Sequence, residues 1–487
     1  MLKSYKKLLS KLRLLPKFVF NASGLMVIQI FSDLSGLVLY VVLSRNYGPE
    51  GTGIYAFGYA VSMLVALIVN FGFDNYGIRE CASLDEDKRR ILIGDIITTQ
   101  VFILLATIAV FFIYIMITAP ALKSIIVIIS LLIFLILQVF SDTFFMSSIA
   151  HQFMIYPAMT NLVTKVVTVI TAVSLMVFFN APIYIAILPF PVFGVFLLFI
   201  AFLSAKKFNG KLKLNFNWKK SFSLMKITLP FTGSNFINQI YSRAGLIIVT
   251  ILLGNSIAGI YSSAQKFMEV GLMPVSFLGF SIYPVLSKYF KKNRENFENS
   301  VENFFRAIFI IAALLLWGLY YIVPEIIIPI FGVKFSNSLH LVKYFAVLIF
   351  IYSLSTSFYK LFLAANLQLQ SVKFEFAALI INLILCFTLI PSQGPTGAVI
   401  ALIVSECVLN ILYISALYIK DIILFKKLLH TLSEYVVLLF IPIVFAALIP
   451  FFIYIKWITI FSTLILFLTL IYFSGFIRKF KVVDEKL

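Results

Sequence analysis

Apolar stretches of about 20 residues recur along the whole chain, which is the length a helix needs to cross the roughly 30 Å hydrocarbon core of a bilayer. With 62% hydrophobic and 12% charged residues, the chain has too few polar groups to cover a soluble globule. The sequence therefore predicts an all-α integral membrane protein with about fourteen spans. Spans 1–6 cover 18–43, 53–72, 91–117, 124–147, 157–179 and 183–204; spans 7–12 cover 228–253, 258–287, 308–331, 339–364, 374–391 and 396–418; spans 13 and 14 cover 431–451 and 457–476.

The basic residues lie in short clusters between the spans and predict their orientation. Cytoplasmic loops carry an excess of Lys and Arg. With the N-terminus inside, most of the 39 Lys and Arg fall in inner segments, among them an arm (1–17), a linker (205–227) and a tail (477–487). The outer loops contain Arg45, Lys123, Lys334 and Lys456. We therefore expect an even number of spans with both termini in the cytoplasm.

Charge and motifs exclude several function classes. The net charge of +19 lies beside the spans, where it suits anionic lipid headgroups better than nucleic acid. The three cysteines and three histidines are scattered without metal-site spacing. No phosphate-binding glycine loop or nucleophile elbow occurs. We expect no enzyme activity and no cofactor, so energy must come from gradients or from a partner.

The junctions of spans 1–2 and 7–8 are similar in sequence. Gly48, Gly53, Ile54 and Tyr55 match Gly254, Gly259, Ile260 and Tyr261 at a constant offset. Six spans separate the copies, so both have the same orientation in the membrane. This predicts two pseudo-symmetric six-helix lobes (18–204 and 228–418), related by an axis along the membrane normal, with spans 13 and 14 as an appendix (419–476).

Spans 1 and 7 also share a polar stripe. Their polar residues, spaced so that each set shares one helix face, are Gln29, Ser32, Asp33, Gly36 and Tyr40 in span 1, and Asn235, Asn238, Gln239, Ser242 and Arg243 in span 7. A charge at the bilayer centre costs at least about 2.5–3.5 kcal/mol, so it should face a partner or water. Two compatible interpretations remain: an Asp33–Arg243 salt bridge, or the polar walls of a central aqueous cavity.

Other spans carry further charges. Lys266 and Glu269 in span 8 are three residues apart and either pair locally or line the cavity. Lys360 in span 10 is a further candidate cation, which Glu375 can neutralise; Asp142 can likewise neutralise Lys165 of span 5. Glu406 in span 12 is a buried carboxylate that could bind protons.

Two loop segments resemble the polysaccharide flippases of the MOP superfamily. One is Arg45-Asn-Tyr-Gly-Pro-Glu-Gly-Thr-Gly-Ile-Tyr-Ala56 between spans 1 and 2, and the other is Gly72-Phe-Asp-Asn-Tyr-Gly-Ile-Arg-Glu80 after span 2. The span count, the two lobes and the basic linker extend the resemblance over the whole chain. The motifs are similar to those of the Wzx-like transporters of O-antigen or capsule repeat units.

The resemblance implies a flippase that moves an undecaprenyl-pyrophosphate-linked oligosaccharide from the cytoplasmic to the outer leaflet of the bacterial inner membrane by alternating access. Its implied partners are that lipid-linked sugar, the bilayer and polysaccharide polymerase machinery. Related lipid II flippases hold pyrophosphate with cavity arginines. Here span 1 offers Asp33 instead, so the expected substrate-binding cations are Arg243, Lys266 and Lys360, with Gln29, Asp33, Asn235, Gln239 and Glu269 as polar neighbours.

Two other functions remain as alternatives. A cation-coupled drug antiporter of the MATE type shares the twelve-helix core, and we expect it to carry several buried carboxylates and to lack spans 13 and 14. A membrane-embedded glycosyltransferase or polymerase should carry catalytic residues in a large outer loop, and every predicted outer loop here is short.

Overall fold

The computed structural model describes residues 17–118, 121–210 and 216–420, together with residue 465. Within these ranges every regular element is helical, which confirms the predicted all-α fold. The chain divides into two compact units, Met1–Gly259 and Ile260–Leu487. The predicted lobe boundaries around the linker at 205–227 stay a prediction.

The first unit is built from eight helices and the start of a ninth. They are α1 (Lys17–Asn70), α2 (Phe73–Ser83), α3 (Glu86–Thr118), α4 (Leu122–Ala150), α5 (Ile155–Val177), α6 (Ile183–Ala186), α7 (Pro189–Asn209), α8 (Trp218–Leu253) and α9 (Asn255–Gly271), which continues into the second unit. Helix α4 packs against α1 and α7. Their interface buries Leu39, Leu131 and Phe134, with the Phe134 ring edge-on to Phe190 at 5.3 Å.

The second unit continues with six further helices. They are α10 (Met273–Lys292), α11 (Arg294–Trp317), α12 (Val323–Phe331), α13 (Ser338–Ala364), α14 (Gln368–Gln393) and α15 (Pro395–Ile419), with a π-helical turn at Gly318–Ile322 and a 3₁₀ turn at Val333–Phe335. Helix α13 packs against α10, α11 and α15, and α15 packs against α14. Phe305, Phe358 and Phe362 are fully buried among these helices.

Eleven helices in the described ranges are long and apolar enough to cross a membrane. The first of them, Gly24–Ser83, contains predicted spans 1 and 2, and the other ten match spans 3 to 12 in order. Spans 13 and 14 lie outside the described residues, so the total of fourteen stays a prediction.

The two similar junctions adopt similar backbone conformations. Gly48 divides α1 with φ 65° and ψ −165°, and its counterpart Gly254 ends α8 with φ 86° and ψ 172°. Positive φ is open to glycine and strained for most other residues. At the first junction the Thr52 hydroxyl donates to the Gly48 carbonyl at 2.7 Å, which fixes the start of the second half of α1. The sequence repeat is therefore a repeat of backbone geometry.

The second glycine of each junction lies where two backbones touch. A Cβ added to Gly53 would overlap the carbonyl oxygen of Asn255, and a Cβ added to Gly259 would overlap that of Pro49. All four residues lie in the first unit. Since both obstacles are backbone atoms, neither can move aside as a side chain can.

The segment after span 2 is fixed by contacts with α3 and α8. Arg89, which is buried, donates from Nε to the Cys81 carbonyl and from Nη2 to the Leu84 carbonyl, each at 2.9 Å. These bonds satisfy carbonyls at the C-terminal end of α2. From α8, Thr232 donates to the Phe71 carbonyl at 2.8 Å. The segment after span 2, which the sequence predicts to be a loop, is therefore a helix whose two ends are held by neighbouring helices.

An ion pair also joins α8 to α3. The Lys220 ammonium lies 2.5 Å from the Asp95 carboxylate, whose side chain is only 4% exposed. Removing the cation from a buried carboxylate strongly destabilises the folded protein. This contact attaches the start of α8 to the first unit.

Gly53→Ala should destabilise the protein, because the new methyl group has to push two backbone segments apart. Gly233→Ala is the matched control, since a Cβ there meets no atom within 4 Å, and an added Ala favours a helix by about 1 kcal/mol over Gly. Thermal unfolding in detergent should show a midpoint several degrees lower for Gly53→Ala, by roughly 2–4 °C per kcal/mol. Equal midpoints for both variants would show that the junctions do not pack closely.

Candidate substrate site

A lysine of α5 contacts the polar stripe of α1 inside the first unit. The Lys165 ammonium donates to the Ser32 hydroxyl at 2.9 Å. A Cβ at Gly36, one turn along α1, would lie 3.8 Å from both Cε and Nζ of Lys165. Asp33 follows Ser32 in the chain and accepts two hydrogen bonds from the Gln29 amide, at 3.1 and 3.0 Å. We call Gln29, Ser32, Asp33, Gly36 and Lys165 the Lys165 cluster.

Local helix geometry explains the cluster. Gln29 and Asp33 are four residues apart on α1, so their side chains meet on one face. Gly36 has no side chain, which leaves room for the lysine stem. The four methylene groups of Lys165 are apolar and can lie along neighbouring helices while the ammonium group reaches the polar stripe. The cluster thus combines an ammonium, a carboxylate, a hydroxyl and an amide.

The predicted partner of Lys165 has another contact. Asp142 of α4 accepts a hydrogen bond from Asn161 at 3.3 Å, and Asn161 lies one turn before Lys165 on α5. The Asp142–Lys165 pairing therefore stays a prediction. The sequence places Asn161, Thr164, Lys165 and Thr168 on one face of α5 and favours a structural pairing of Lys165, outside the substrate site. The structure brings Lys165 against the stripe of α1, a contact that no spacing within α5 can predict.

The predicted stripe of span 7 lies on α8. Asn235 and Asn238 are exposed, while Gln239, Ser242 and Arg243 are half-buried. Ser242 donates to the Gln239 carbonyl at 3.1 Å, within its own helix. A side-chain hydroxyl that is satisfied in this way is less available to a ligand, so the amides and the guanidinium are the candidate binding groups on this face. Their role in binding stays a prediction, as does the Asp33–Arg243 bridge.

The second unit contains a local ion pair on α9. The Lys266 ammonium lies 2.9 Å from the Glu269 carboxylate, as the three-residue spacing predicts. Both side chains are about one-third exposed, at 30% and 32%. The two charges largely cancel at a distance, so this pair presents a dipole to any ligand.

Lys360 of α13 is in contact with aromatic rings. Its ammonium lies 4.3 Å from the centre of the Phe280 ring and 5.7 Å from that of Tyr359. A cation over a ring face is stabilised by about 0.5–2 kcal/mol, depending on how far it is removed from water. Its predicted partner Glu375 accepts from Ser371 at 3.0 Å and Tyr413 at 3.3 Å. The sequence does not predict that Phe280 contacts Lys360, because an aromatic residue in an apolar span gives no distinguishing signal.

Several of these groups are cations, which suit an anionic ligand. Within the described residues no group of three His, Cys, Asp or Glu side chains could hold a metal ion. Lys165, Arg243, Lys266 and Lys360 are all cations inside predicted spans. Cations in hydrocarbon are costly, and those that persist commonly mark a substrate or ion pathway.

Lys165→Met and Ser32→Ala should affect stability differently. Methionine has a similar length without the charge, so Lys165→Met should keep or raise the thermal midpoint. Ser32→Ala removes an acceptor from a half-buried ammonium, which should cost about 1–3 kcal/mol. Thermal unfolding in detergent measures both, and Lys123→Met in an exposed ion pair with Glu50 serves as control. A large loss of stability in Lys165→Met would make the lysine a structural residue.

Comparison with known proteins identifies relatives of the whole fold. A family model described as polysaccharide biosynthesis protein matches residues 18–290. A solved structure of the lipid II flippase MurJ in an inward closed conformation is 16% identical, with a TM-score of 0.70, and the match covers 93% of this chain and 99% of that one.

Two MATE transporters are also similar in structure. An inward-facing multidrug resistance MATE family transporter of the MOP superfamily is 11% identical, with a TM-score of 0.57, and the match covers 80% of this chain and 95% of that one. The MATE multidrug transporter DinF-BH is 18% identical, with a TM-score of 0.55, and the match covers 83% of this chain and 96% of that one. No curated protein matches this chain in sequence.

The structural matches confirm the predicted MOP-type fold, and the apolar helices make the chain a multi-pass membrane protein. Because the family model covers more than half of the 487 residues, this chain belongs to the polysaccharide biosynthesis protein family.

Proposed function

We propose that the protein is a flippase that translocates an undecaprenyl-pyrophosphate-linked oligosaccharide from the cytoplasmic to the outer leaflet of the bacterial inner membrane. Transport proceeds by alternating access, with both termini in the cytoplasm. The family supports a role in polysaccharide biosynthesis, and the fold is shared with a lipid II flippase. Polysaccharide polymerase machinery would receive the product on the outer side.

The Lys165–Ser32 contact is the observation on which the proposal mainly rests. A pyrophosphate group needs cations in a site that water can enter, and Lys165 places an ammonium on the polar stripe of α1. Lysine binds phosphate as a point charge, without a required geometry. That suits a headgroup that must bind on one side and leave on the other. Arg243, Lys266 and Lys360 are the further cations that the sequence predicts for substrate binding.

The sugar would use the uncharged polar groups of the same helices. Asn235 and Asn238 are exposed on α8, and Gln239 is half-buried beside them. Amide groups both donate and accept hydrogen bonds, as sugar hydroxyls do. One face of α8 can therefore bind sugars of different structure.

The membrane potential can drive net export of such a substrate. Moving one negative charge out of an inside-negative cell is favoured by about 2.3 kcal/mol per 100 mV. A pyrophosphate carries more than one charge, so the potential alone can supply several kcal/mol without ATP. Coupling to an ion would add to this driving force.

A MATE-type cation-coupled antiporter is the second candidate. The likeness to MATE transporters favours it, as do the carboxylates Asp33, Glu269 and Glu406 inside predicted spans. An antiporter needs carboxylates that accept cations, whereas Glu269 is already paired with Lys266. The cationic side chains of the polar faces favour the flippase.

Deletion of the gene should block surface glycan and leave lipid-linked repeat units facing the cytoplasm. A host with a known repeat unit allows both quantities to be measured, the first with a lectin on intact cells and the second by extraction and protection from externally added glycosidase. Normal surface glycan in the deletion strain, together with new sensitivity to cationic dyes, would support the antiporter instead.

Lys165→Met and Arg243→Ala should each reduce export at least tenfold when expressed in the deletion strain, because each removes a cation from the proposed pyrophosphate path. Lys123→Met should complement fully, since its charge lies in an exposed ion pair of the outer end. Membrane levels and thermal midpoints show whether a variant is folded. Full complementation by a folded Lys165→Met would remove this lysine from the substrate site.

A further inference from the structure

A buried carboxylate lies in the middle of α15 in the second unit. Glu406 is 1% exposed, and its position in α15 (Pro395–Ile419) is near the centre of that helix. The Ser355 hydroxyl of α13 donates to its Oε2. Asn410, one turn further along α15, donates to the same Ser355 oxygen at 2.7 Å. We call Glu406, Ser355 and Asn410 the Glu406 cluster.

The cluster retains an unused acceptor. Asn410 is 7% exposed, and its Nδ2 also points at the Glu406 carbonyl (2.9 Å) and the Ile351 carbonyl (3.3 Å). Its Oδ1 accepts no hydrogen bond from any residue that the structure describes. A buried acceptor without a donor is costly. An acceptor of this kind, beside a carboxyl group, suits a proton donor such as a water molecule or the acid form of the carboxyl.

A second set of polar groups lies nearer the predicted cytoplasmic end of α15. Tyr413 is seven residues after Glu406, which places it on the same helix face. Its hydroxyl donates to the Glu375 carboxylate at 3.3 Å and lies 2.7 Å from the Ser371 hydroxyl. Ser371 and Glu375 are at the start of α14, which the positive-inside orientation places at the cytoplasmic face.

Charged residues on the neighbouring helices α13 and α14 have contacts away from Glu406. On α13, Lys360 lies over Phe280 and Lys343 over Tyr320. On α14, Glu375 accepts a hydrogen bond from Tyr413.

Helices α14 and α15 also share a weaker polar contact next to Glu406 in the chain. The Cys386 thiol donates to Asn382 at 3.8 Å, and Asn382 in turn donates to Ser405 at 3.5 Å. Ser405 is the residue before Glu406. The polar groups that join Glu406 in its cluster are a hydroxyl (Ser355) and an amide (Asn410), which can donate or accept in a hydrogen bond.

We propose that Glu406 is a proton-binding site of the second unit, loaded from the cytoplasm along Glu375, Ser371 and Tyr413. Hydroxyl groups both donate and accept, so they can pass a proton on. In the loading step, a hydronium ion in cytoplasmic water gives up one proton and becomes water. That proton becomes the O–H of the Glu406 carboxyl group. In the reverse step the carboxylate forms again and the proton returns to water.

The step changes the charge of the membrane interior by one unit. A charged side chain at the bilayer centre is costly, and protonation of the carboxylate removes its charge. A conformational change that exposes Glu406 to water on one side will therefore be linked to proton uptake or release there. This gives the chain a site at which a proton gradient can act, independent of what the chain transports.

Infrared difference spectroscopy of the full-length protein in lipid nanodiscs tests the site directly. Lowering the pH should produce a carboxylic acid C=O band that Glu406→Gln lacks and Glu50→Gln keeps, since Glu50 is an exposed carboxylate paired with Lys123. Glutamine has nearly the same size, so folding should be preserved. Identical difference spectra for wild type and Glu406→Gln would overturn the proposal.

Two further variants keep the proposal testable if Glu406→Gln does not fold. Ser355→Ala removes the hydroxyl donor and should displace the pH midpoint of the band by roughly one pH unit. Tyr413→Phe should leave the midpoint within error but slow the rise of the band after a rapid pH change by at least tenfold. An unchanged midpoint in Ser355→Ala, or an unchanged rate in Tyr413→Phe, would contradict the site or the path respectively. The measurement uses only protons as probe, so its result does not depend on the proposed substrate.

Discussion

Hydrocarbon offers no hydrogen-bonding partner, so every polar group between the headgroups must be satisfied by the protein or by water that the protein admits. The backbone meets this demand by forming continuous helices. Many hydroxyls meet it by bonding within their own helix, as when Thr168 donates to the Thr164 carbonyl at 2.7 Å. Such side chains have little capacity left for a ligand. Hydroxyls that contact charged groups of other helices, such as those of Ser32, Ser355 and Tyr413, are therefore the informative ones.

The same demand limits where the chain can turn. A helix can be interrupted near the membrane surface, where water satisfies the freed groups. Gly48 and Gly254 make these interruptions with positive φ, and Gly53 and Gly259 then let backbone approach backbone. The four glycines thus perform two different tasks, turning and close packing, at equivalent positions of the repeat. A repeat of this kind preserves geometry where most side chains differ.

Features determined by neighbours in sequence could be predicted, and features determined by neighbours in space could not. Hydropathy located spans 1 to 12, because each span needs only its own residues, and the ion pair on α9 followed from a spacing of three residues. The Lys165–Ser32 contact joins positions 133 residues apart. Lys360 over Phe280 depends on how α10 and α13 pack. The sequence made carboxylates of adjacent spans the predicted partners of Lys165 and Lys360, because charge alone does not say which helix face lies opposite. The link from Glu406 to Ser355 likewise required the packing of α13 on α15.

The serine contacts of Lys165 and Glu406 share a property that matters for transport. The structure places a neutral hydroxyl on each of these two charged groups. Breaking a buried ion pair by removing one partner leaves an uncompensated charge and costs about 3–5 kcal/mol. Losing a hydroxyl partner costs closer to the roughly 1.5–3 kcal/mol of one hydrogen bond to a charged group.

An ammonium that Ser32 contacts can therefore exchange this hydroxyl for a phosphate oxygen and later take it back. A carboxylate that Ser355 contacts can gain or lose a proton and keep a hydroxyl that both donates and accepts. The ion pair on α9 has less of this freedom, because any ligand of its lysine has to compete with a carboxylate at 2.9 Å. Groups whose charge or partner must change during a transport cycle are better served by hydroxyl contacts than by opposite charges, and this distinguishes the Ser32 and Ser355 contacts from the ion pairs that stabilise the fold.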